Sequence, residues 1–414
     1  MTAAKQQTPA QKKASSSYKP QPIVLTALDG YLLSGSLFLP PGPIVTSRVP
    51  TSHSSNHDNS NLAEGATHKQ DVEALTKVVI ISAATATIQD FYFKFAIYLS
   101  QELGFIVVSY DNRGIGRSLP GSESLQFLKA AADNGPLPTT GSATSPPLPP
   151  KSTSASNGSA AEESSIDKDK KKKDNKKKKN PLIGFEATIV DWSTKDLPGV
   201  FNYVLQHFPD SPQLYVGHSV GGHILPALDS YYTRNLERVL FVSVTSAYWR
   251  HMNSPLFTYW FFHMASPIVN KHYGYYPGKT FWGSMEDMPT GCLETWGFWS
   301  KHRDYMLGGN PEWKPNFGLF KVPIYSLYFS DDDFSSTSAP IIMDLIPNTQ
   351  KRCVGVKPVE DLNMKKVGHM GFFFNSCKRK LWDSVVRSWF VDGRALDIEA
   401  IREHAALESS YARL

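Results

Sequence analysis

Five short runs of the 414-residue chain are apolar almost without interruption. They are "KVVIIS" (Lys77 to Ser82), "FIVVSY" (Phe105 to Tyr110), "LYVG" (Leu214 to Gly217), "RVLFVSVT" (Arg238 to Thr245) and "VPIYSLYF" (Val322 to Phe329). A strand with one wet face alternates apolar and polar residues, whereas these runs do not, so they read as strands buried on both faces. Segments with helical spacing lie between and after them: "FYFKFAIYLSQEL", "FEATIVDWSTKDLPGVFNYVLQHF" interrupted near Pro198, the stretch after Ser219, "APIIMDLI" and "KLWDSVVRSWFV". Strands alternating with helices imply an α/β protein, its mostly parallel central sheet flanked by helices. "PIVLTALDGYLLSGSLFLP" adds two strands joined through a turn at Asp29 and Gly30.

Two stretches lose hydrophobic periodicity, one at about 43–73, which holds "TSHSSNHDNSN", and one at about 120–180, a Pro/Ser/Thr-rich tract leading into lysines. Neither buries enough apolar area to offset the entropy of ordering, so both are expected to be disordered insertions, like the tail at 1–20. The remainder, residues 21–414, reads as one domain.

The net charge is +5, but Asp167 to Lys179 holds nine lysines against three aspartates, which leaves −1 for the rest of the chain. The basicity therefore belongs to one segment and does not suggest nucleic-acid binding. The lysine run at 168–179 reads either as a solvated linker or as a nuclear-localisation tag. The N-terminus lacks the apolar core of a secretory signal, so a cytoplasmic protein is expected. Cys292, Cys353 and Cys377 are odd in number and widely spaced, suggesting neither disulfides nor zinc. The window "PLFTYWFFHMASPIV" is too short to span a bilayer, although peripheral membrane contact stays open.

Between the strands near Thr245 and Val322, at about 247–321, no strand is convincing. Tyr248 to Phe320 holds 19 Phe, Trp and Tyr, about twice the chain-wide share of 12%. This segment reads as an aromatic-rich helical cap over the carboxyl edge of the sheet. Its aromatics either contact an apolar substrate or form a core of the cap itself.

"LYVGHSVGGHILPAL" places Ser219 in a G-x-S-x-G pattern between a strand and a helix, the context a nucleophile elbow needs. Gly217 and Gly221 suit the close approach such a turn imposes. A serine hydroxyl needs a histidine base, and the base needs a carboxylate that fixes its tautomer. "VPIYSLYFSDDDF" offers Asp331, Asp332 and Asp333 after a late strand, and "VGHMGFFF" offers His369 before a closing helix. His218, His223 and His263 are expected to be structural or to support the site's residues from behind. The oxyanion of an acyl intermediate needs two backbone donors. Val220, directly after the serine, is one expectation, and Thr85, in the loop after "KVVIIS", is the other.

With "GHSVGG", the "YDNRGIGRS" loop, the aspartate loop and "GHMGFF", the chain resembles the α/β-hydrolase superfamily of serine hydrolases. The finer set "YDNRGIGRS", "GFEATIVDW", "YWRHM", "GYYPGK" and "VGHMGFF" is similar to a little-characterised group of predicted bacterial hydrolases. The resemblance implies Ser219 as nucleophile, His369 as base and, counting from Phe329 in place of the usual glycine, Asp332 as acid, with Asp331 and Asp333 still open. Asp111 and Arg113 fall in a loop that supports the site. Ala83 and Ala84 replace the usual His-Gly pair, which loosens the placement of Thr85.

The function expected is hydrolysis of an ester, thioester or amide with an apolar portion through a Ser219 acyl-enzyme, with no metal or organic cofactor. An acyltransferase or peptidase using the same residues, and a non-catalytic binding protein, are the rivals. The partner expected is a small-molecule substrate; the sequence says nothing of oligomeric state.

Overall fold

The structure is a computed structural model and describes residues 18–46, 74–123, 125–126, 129, 179–334 and 338–411. Its centre is an eight-stranded sheet: β1 (Gln21–Thr26), β2 (Leu32–Phe38), β3 (Val78–Ser82), β4 (Ile106–Tyr110), β5 (Gln213–His218), β6 (Leu236–Val242), β7 (Ile324–Phe329) and β8 (Lys351–Val356), in the order β1-β2-β4-β3-β5-β6-β7-β8. The first two strands form a hairpin, β2 runs antiparallel to β4, and every later pairing is parallel.

Every residue of β3, β4 and β5 is buried. Successive side chains go to opposite cores: Val78, Ile80, Val108, Tyr215 and Phe241 to one face, and Val79, Ile81, Val107, Leu214 and Leu240 to the other. This two-sided burial is why the runs show no alternation. Strand β8 escaped the sequence reading because it lies at the sheet edge, where Lys351 and Arg352 are exposed and no apolar run forms.

Two of the expected helical elements take another form. Pro198 does not interrupt its helix: Ile189–Asp191 continues through a wide π turn, Trp192–Asp196, into α1 (Leu197–His207), whose first turn holds the proline. A widened turn there and a first-turn position tolerate the missing N–H. After the elbow, α2 (Val220–His223) is a single turn, followed by a 3₁₀ turn that contains Pro226, Leu225–Ala227, so the longer helix read there does not form.

The cap occupies the β6-to-β7 connection and includes α3 (Pro255–Trp260), α4 (Ser266–Tyr273) and α5 (Thr290–Ser300); a π turn, Phe261–Ala265, makes α3 and α4 continuous. Of its nineteen aromatics seven are buried, among them Trp299, Tyr305, Trp313 and Phe317, and seven are exposed. One share therefore is the cap's own core, and the other faces outward. A last helix, α6 (Ile398–Tyr411), was not anticipated.

Most of both stretches read as insertions, and of the lysine run, lies outside the described residues. Their described edges are packed: the Val45 N–H donates to Thr76 Oγ1 at 3.1 Å, Thr76 N–H donates back to the Val45 carbonyl at 2.8 Å, and Leu125 is buried. Likewise Tyr18 stacks on Phe38 and accepts from the Leu39 N–H. The folded chain thus extends beyond the boundaries drawn at 20, 43 and 120. Among the described residues no helix is long and apolar enough to cross a membrane, and no cluster of three His, Cys, Asp or Glu could hold a metal ion.

Candidate active site

Strand β5 ends at His218, and the chain turns at Ser219 with φ 52° and ψ −118°. A positive φ at a serine is strained and must be held by its surroundings. Glycine is required on both sides: a Cβ on Gly217 would sit 2.8 Å from the Gly222 Cα, and one on Gly221 would sit 2.3 Å from the Ser82 carbonyl oxygen. From within β5, the Tyr215 hydroxyl donates to the Gly221 carbonyl at 2.6 Å and pins the start of α2. Ser219 stands half-buried at this turn. Val220 opens α2, so its N–H has no acceptor within the helix.

The loop after β3 lies beside the elbow, because Ser82 pairs with Gly217 across the sheet. Its Ala84 N–H is already spent, donating to the Tyr92 hydroxyl at 2.9 Å. Thr85 follows, half-buried, and then Ala86 at φ 53°, whose carbonyl accepts the Glu286 N–H of the cap at 2.8 Å.

The three aspartates after β7 separate by partner. Asp332, fully buried at its side chain, accepts His369 Nδ1–H at 2.8 Å and, on its other oxygen, the Phe334 N–H at 2.9 Å. Asp331 accepts the N–H groups of Val367 and Gly368 at 2.8 and 2.9 Å, clamping the backbone that carries His369. Asp333 is exposed and pairs with Lys366. Burial alone would raise the Asp332 pKa, but the charge and hydrogen bond of His369 and the N–H of Phe334 outweigh it, so the carboxyl is held below its ordinary value. An ionised Asp332 fixes His369 as the Nδ1–H tautomer, which leaves Nε2 as a free base.

His218 links these parts. Its Nε2–H donates to the His369 carbonyl at 2.9 Å, its Nδ1 lies 2.7 Å from the Tyr92 hydroxyl, and the two histidine rings are 5.1 Å apart. A carbonyl only accepts and a backbone N–H only donates, so the two ends set every proton: Ala84 N–H to Tyr92 Oη, Tyr92 O–H to His218 Nδ1, His218 Nε2–H to the His369 carbonyl. Burial, followed by the neighbouring His369, depresses the His218 pKa to about 3, so the ring is neutral as this chain of bonds requires. Through these bonds His218 ties the loop of Thr85 to the loop of His369. His223 is also buried, its Nε2–H donating to the Thr245 carbonyl at 2.9 Å; His263 lies within the cap, 3.3 Å from the Ser300 hydroxyl.

Asp111 and Arg113 support the surroundings. Asp111 accepts the Gln89 and Arg117 N–H groups, and Arg113 is held by Asp29 and the buried Asp196. Cap and acid loop are joined where Asn253 Nδ2 donates to the Asp332 carbonyl at 2.8 Å. The Phe334 ring centroid lies 4.9 Å from that of His369, Trp296 follows 6.3 Å from Phe334, and Phe262 5.0 Å from Trp296. Sequence reading missed Tyr92, Asn253 and Phe334 as site neighbours, since nothing in the spacing of the motifs singles them out, and it held Trp296 only as one of the cap aromatics.

The model of the alpha/beta hydrolase fold family matches residues 77–279, a span that contains Ser219 and ends before Asp332 and His369. No curated protein matches the chain in sequence. Solved structures similar to it include the esterase domain of a Rhodothermus marinus protein, 10% identical over 90% of this chain and 98% of its own, at TM-score 0.43. A soluble variant of monoglyceride lipase from Saccharomyces cerevisiae is 11% identical over 82% of this chain and 89% of its own, also at 0.43. DcsB, solved with its substrate analogue, is 13% identical over 93% and 100%, again at 0.43. Likenesses of this size carry nothing about what the chain acts on.

Proposed function

We propose that this chain, whose residues 77–279 match the alpha/beta hydrolase fold family, is a serine hydrolase that cleaves a carboxylic ester, or less readily a thioester or amide, bearing an apolar portion. The observation that carries the proposal is the pairing of the buried Asp332 with the half-buried His369, linked through His218 to a strained, half-buried Ser219. In this reading Ser219 Oγ attacks the substrate carbonyl carbon while His369 Nε2 takes its proton. The N–H groups of Val220 and Thr85 hold the resulting oxyanion. The imidazolium, stabilised by Asp332, returns the proton to the departing alkoxide, and water repeats the sequence on the acyl-enzyme. No step calls for a metal or an organic cofactor. The aromatic file from Phe334 to Phe262 favours an apolar substrate part beside the base.

A series of esters of increasing acyl length, with product analysis in the presence of added alcohol acceptors, tests this. Medium-chain esters are expected to turn over faster than short polar ones, with free acid as product. Faster turnover of short polar esters would contradict the apolar preference, and a dominant transacylated product would make the chain an acyltransferase.

Tyr92→Phe should separate positioning from support. It leaves the Ala84 N–H and His218 Nδ1 buried without partners, at about 1–3 kcal/mol each. If the relay sets the geometry of the site, kcat falls by about tenfold or more with KM little changed. A lower melting temperature with unchanged kcat would reduce Tyr92 to packing.

A further inference from the structure

The continuous helix formed by α3, the π turn and α4 is turned inside out. Every fourth residue from Thr258 faces inward: Thr258, Phe262, Ser266 and Asn270 are 7%, 6%, 4% and 3% exposed. Three of these four are polar, and they are partly satisfied by the backbone, as where Thr258 Oγ1 donates to the Ser254 carbonyl and Ser266 Oγ to that of Phe262. Every fourth residue from Leu256 faces outward: Leu256, Trp260, Met264 and Ile268 are 81%, 53%, 56% and 70% exposed. A helix that packs on its own protein buries the apolar face, so this face is built for contact with something else. Trp282, 48% exposed and 6.0 Å from Phe261 between ring centroids, extends it.

Charge identifies the occupant. Between Tyr248 and Met285 the chain has no Asp or Glu, but it has Arg250, Lys271 and Lys279. Lys279 is paired with Glu286; Arg250 and Lys271 are exposed and form no ion pair among the described residues. A second copy of the same face would oppose like charges. A bilayer with anionic headgroups accepts aliphatic side chains in its acyl boundary, tryptophan at its interface and cations at its surface. We infer that the outer face of this helix docks the protein on an anionic lipid surface. The helix would lie in the plane of the interface, its inner side still packed on α5 with Phe262 against Gly297. The inference does not depend on Ser219 being a nucleophile.

Flotation of the full chain with phosphatidylcholine vesicles containing about a third phosphatidylserine tests it, at about 0.1 M and 0.5 M salt, where the lysine run at 168–179 is progressively screened. Wild type should float at both salts and less with phosphatidylcholine alone. Leu256→Glu with Ile268→Glu, both at well-exposed positions, should lower partitioning at high salt by about a hundredfold, and Lys271→Glu should lower it at low salt by roughly fivefold or more. Circular dichroism and a melting curve establish that the variants remain folded. Absence of wild-type flotation, or equal flotation of the folded double variant at high salt, overturns the inference. So does a wild-type dimer in light scattering that the same two substitutions dissolve, since the face would then belong to a second copy.

Discussion

Asp332→Asn is expected to lower kcat for ester hydrolysis by about ten-thousand-fold and leave KM nearly unchanged. The amide can turn its NH₂ toward His369 Nδ1, and the ring then carries its proton on Nε2, where a base is needed. The buried carboxylate that would stabilise the imidazolium is gone as well. Asp331→Asn is the comparison. Among the described residues the Asp331 carboxylate accepts from the Val367 and Gly368 N–H groups, so an amide there keeps one acceptor and opposes the other N–H with a donor. Its first effect is on stability, about 1–3 kcal/mol, with a much smaller loss in kcat. Equal losses of kcat for the two variants would mean that the pairing of Asp332 with His369 has no special part in turnover. Asp333→Asn, which breaks an exposed pair with Lys366, should change neither measurably.

Ser219→Ala should lower hydrolysis by about a million-fold and leave the fold intact. Alanine has the Cβ that serine already places at φ 52°, so the turn carries the same strain, and a half-buried hydroxyl is a small loss. Comparable stability is therefore expected, which keeps a loss of activity from being an unfolding effect.

Much of this arrangement was legible in the chain because its cause is local. Two-sided burial writes β3 to β7 as apolar runs, and the crowding at Gly217 and Gly221 writes the elbow as glycine. The count from Phe329 led to Asp332, which is the aspartate that meets His369. What stayed hidden depends on distant partners. Nothing near Asp331 in the chain announces that it accepts from two N–H groups 36 and 37 residues on. Nothing in "FYFKF" announces that Tyr92 meets His218, 126 residues away. Strand β8 is an edge with charged residues, and helix α2 ends early because Pro226 follows it. The helix of Leu256 and Ile268 was hidden differently: its periodicity is plain, but the spacing does not say which face meets water.

Reaction with a fluorophosphonate probe distinguishes a nucleophilic Ser219 from one that is merely strained. The phosphorus accepts the serine oxygen, fluoride leaves, and the enzyme carries a stable adduct that a mass spectrum assigns to a residue. Wild type is expected to label at Ser219 in stoichiometric amount, with Ser219→Ala unlabelled and Asp332→Asn labelled far more slowly. Folded wild type that takes up no probe, or equal labelling of wild type and Ser219→Ala, would exclude Ser219 as the nucleophile.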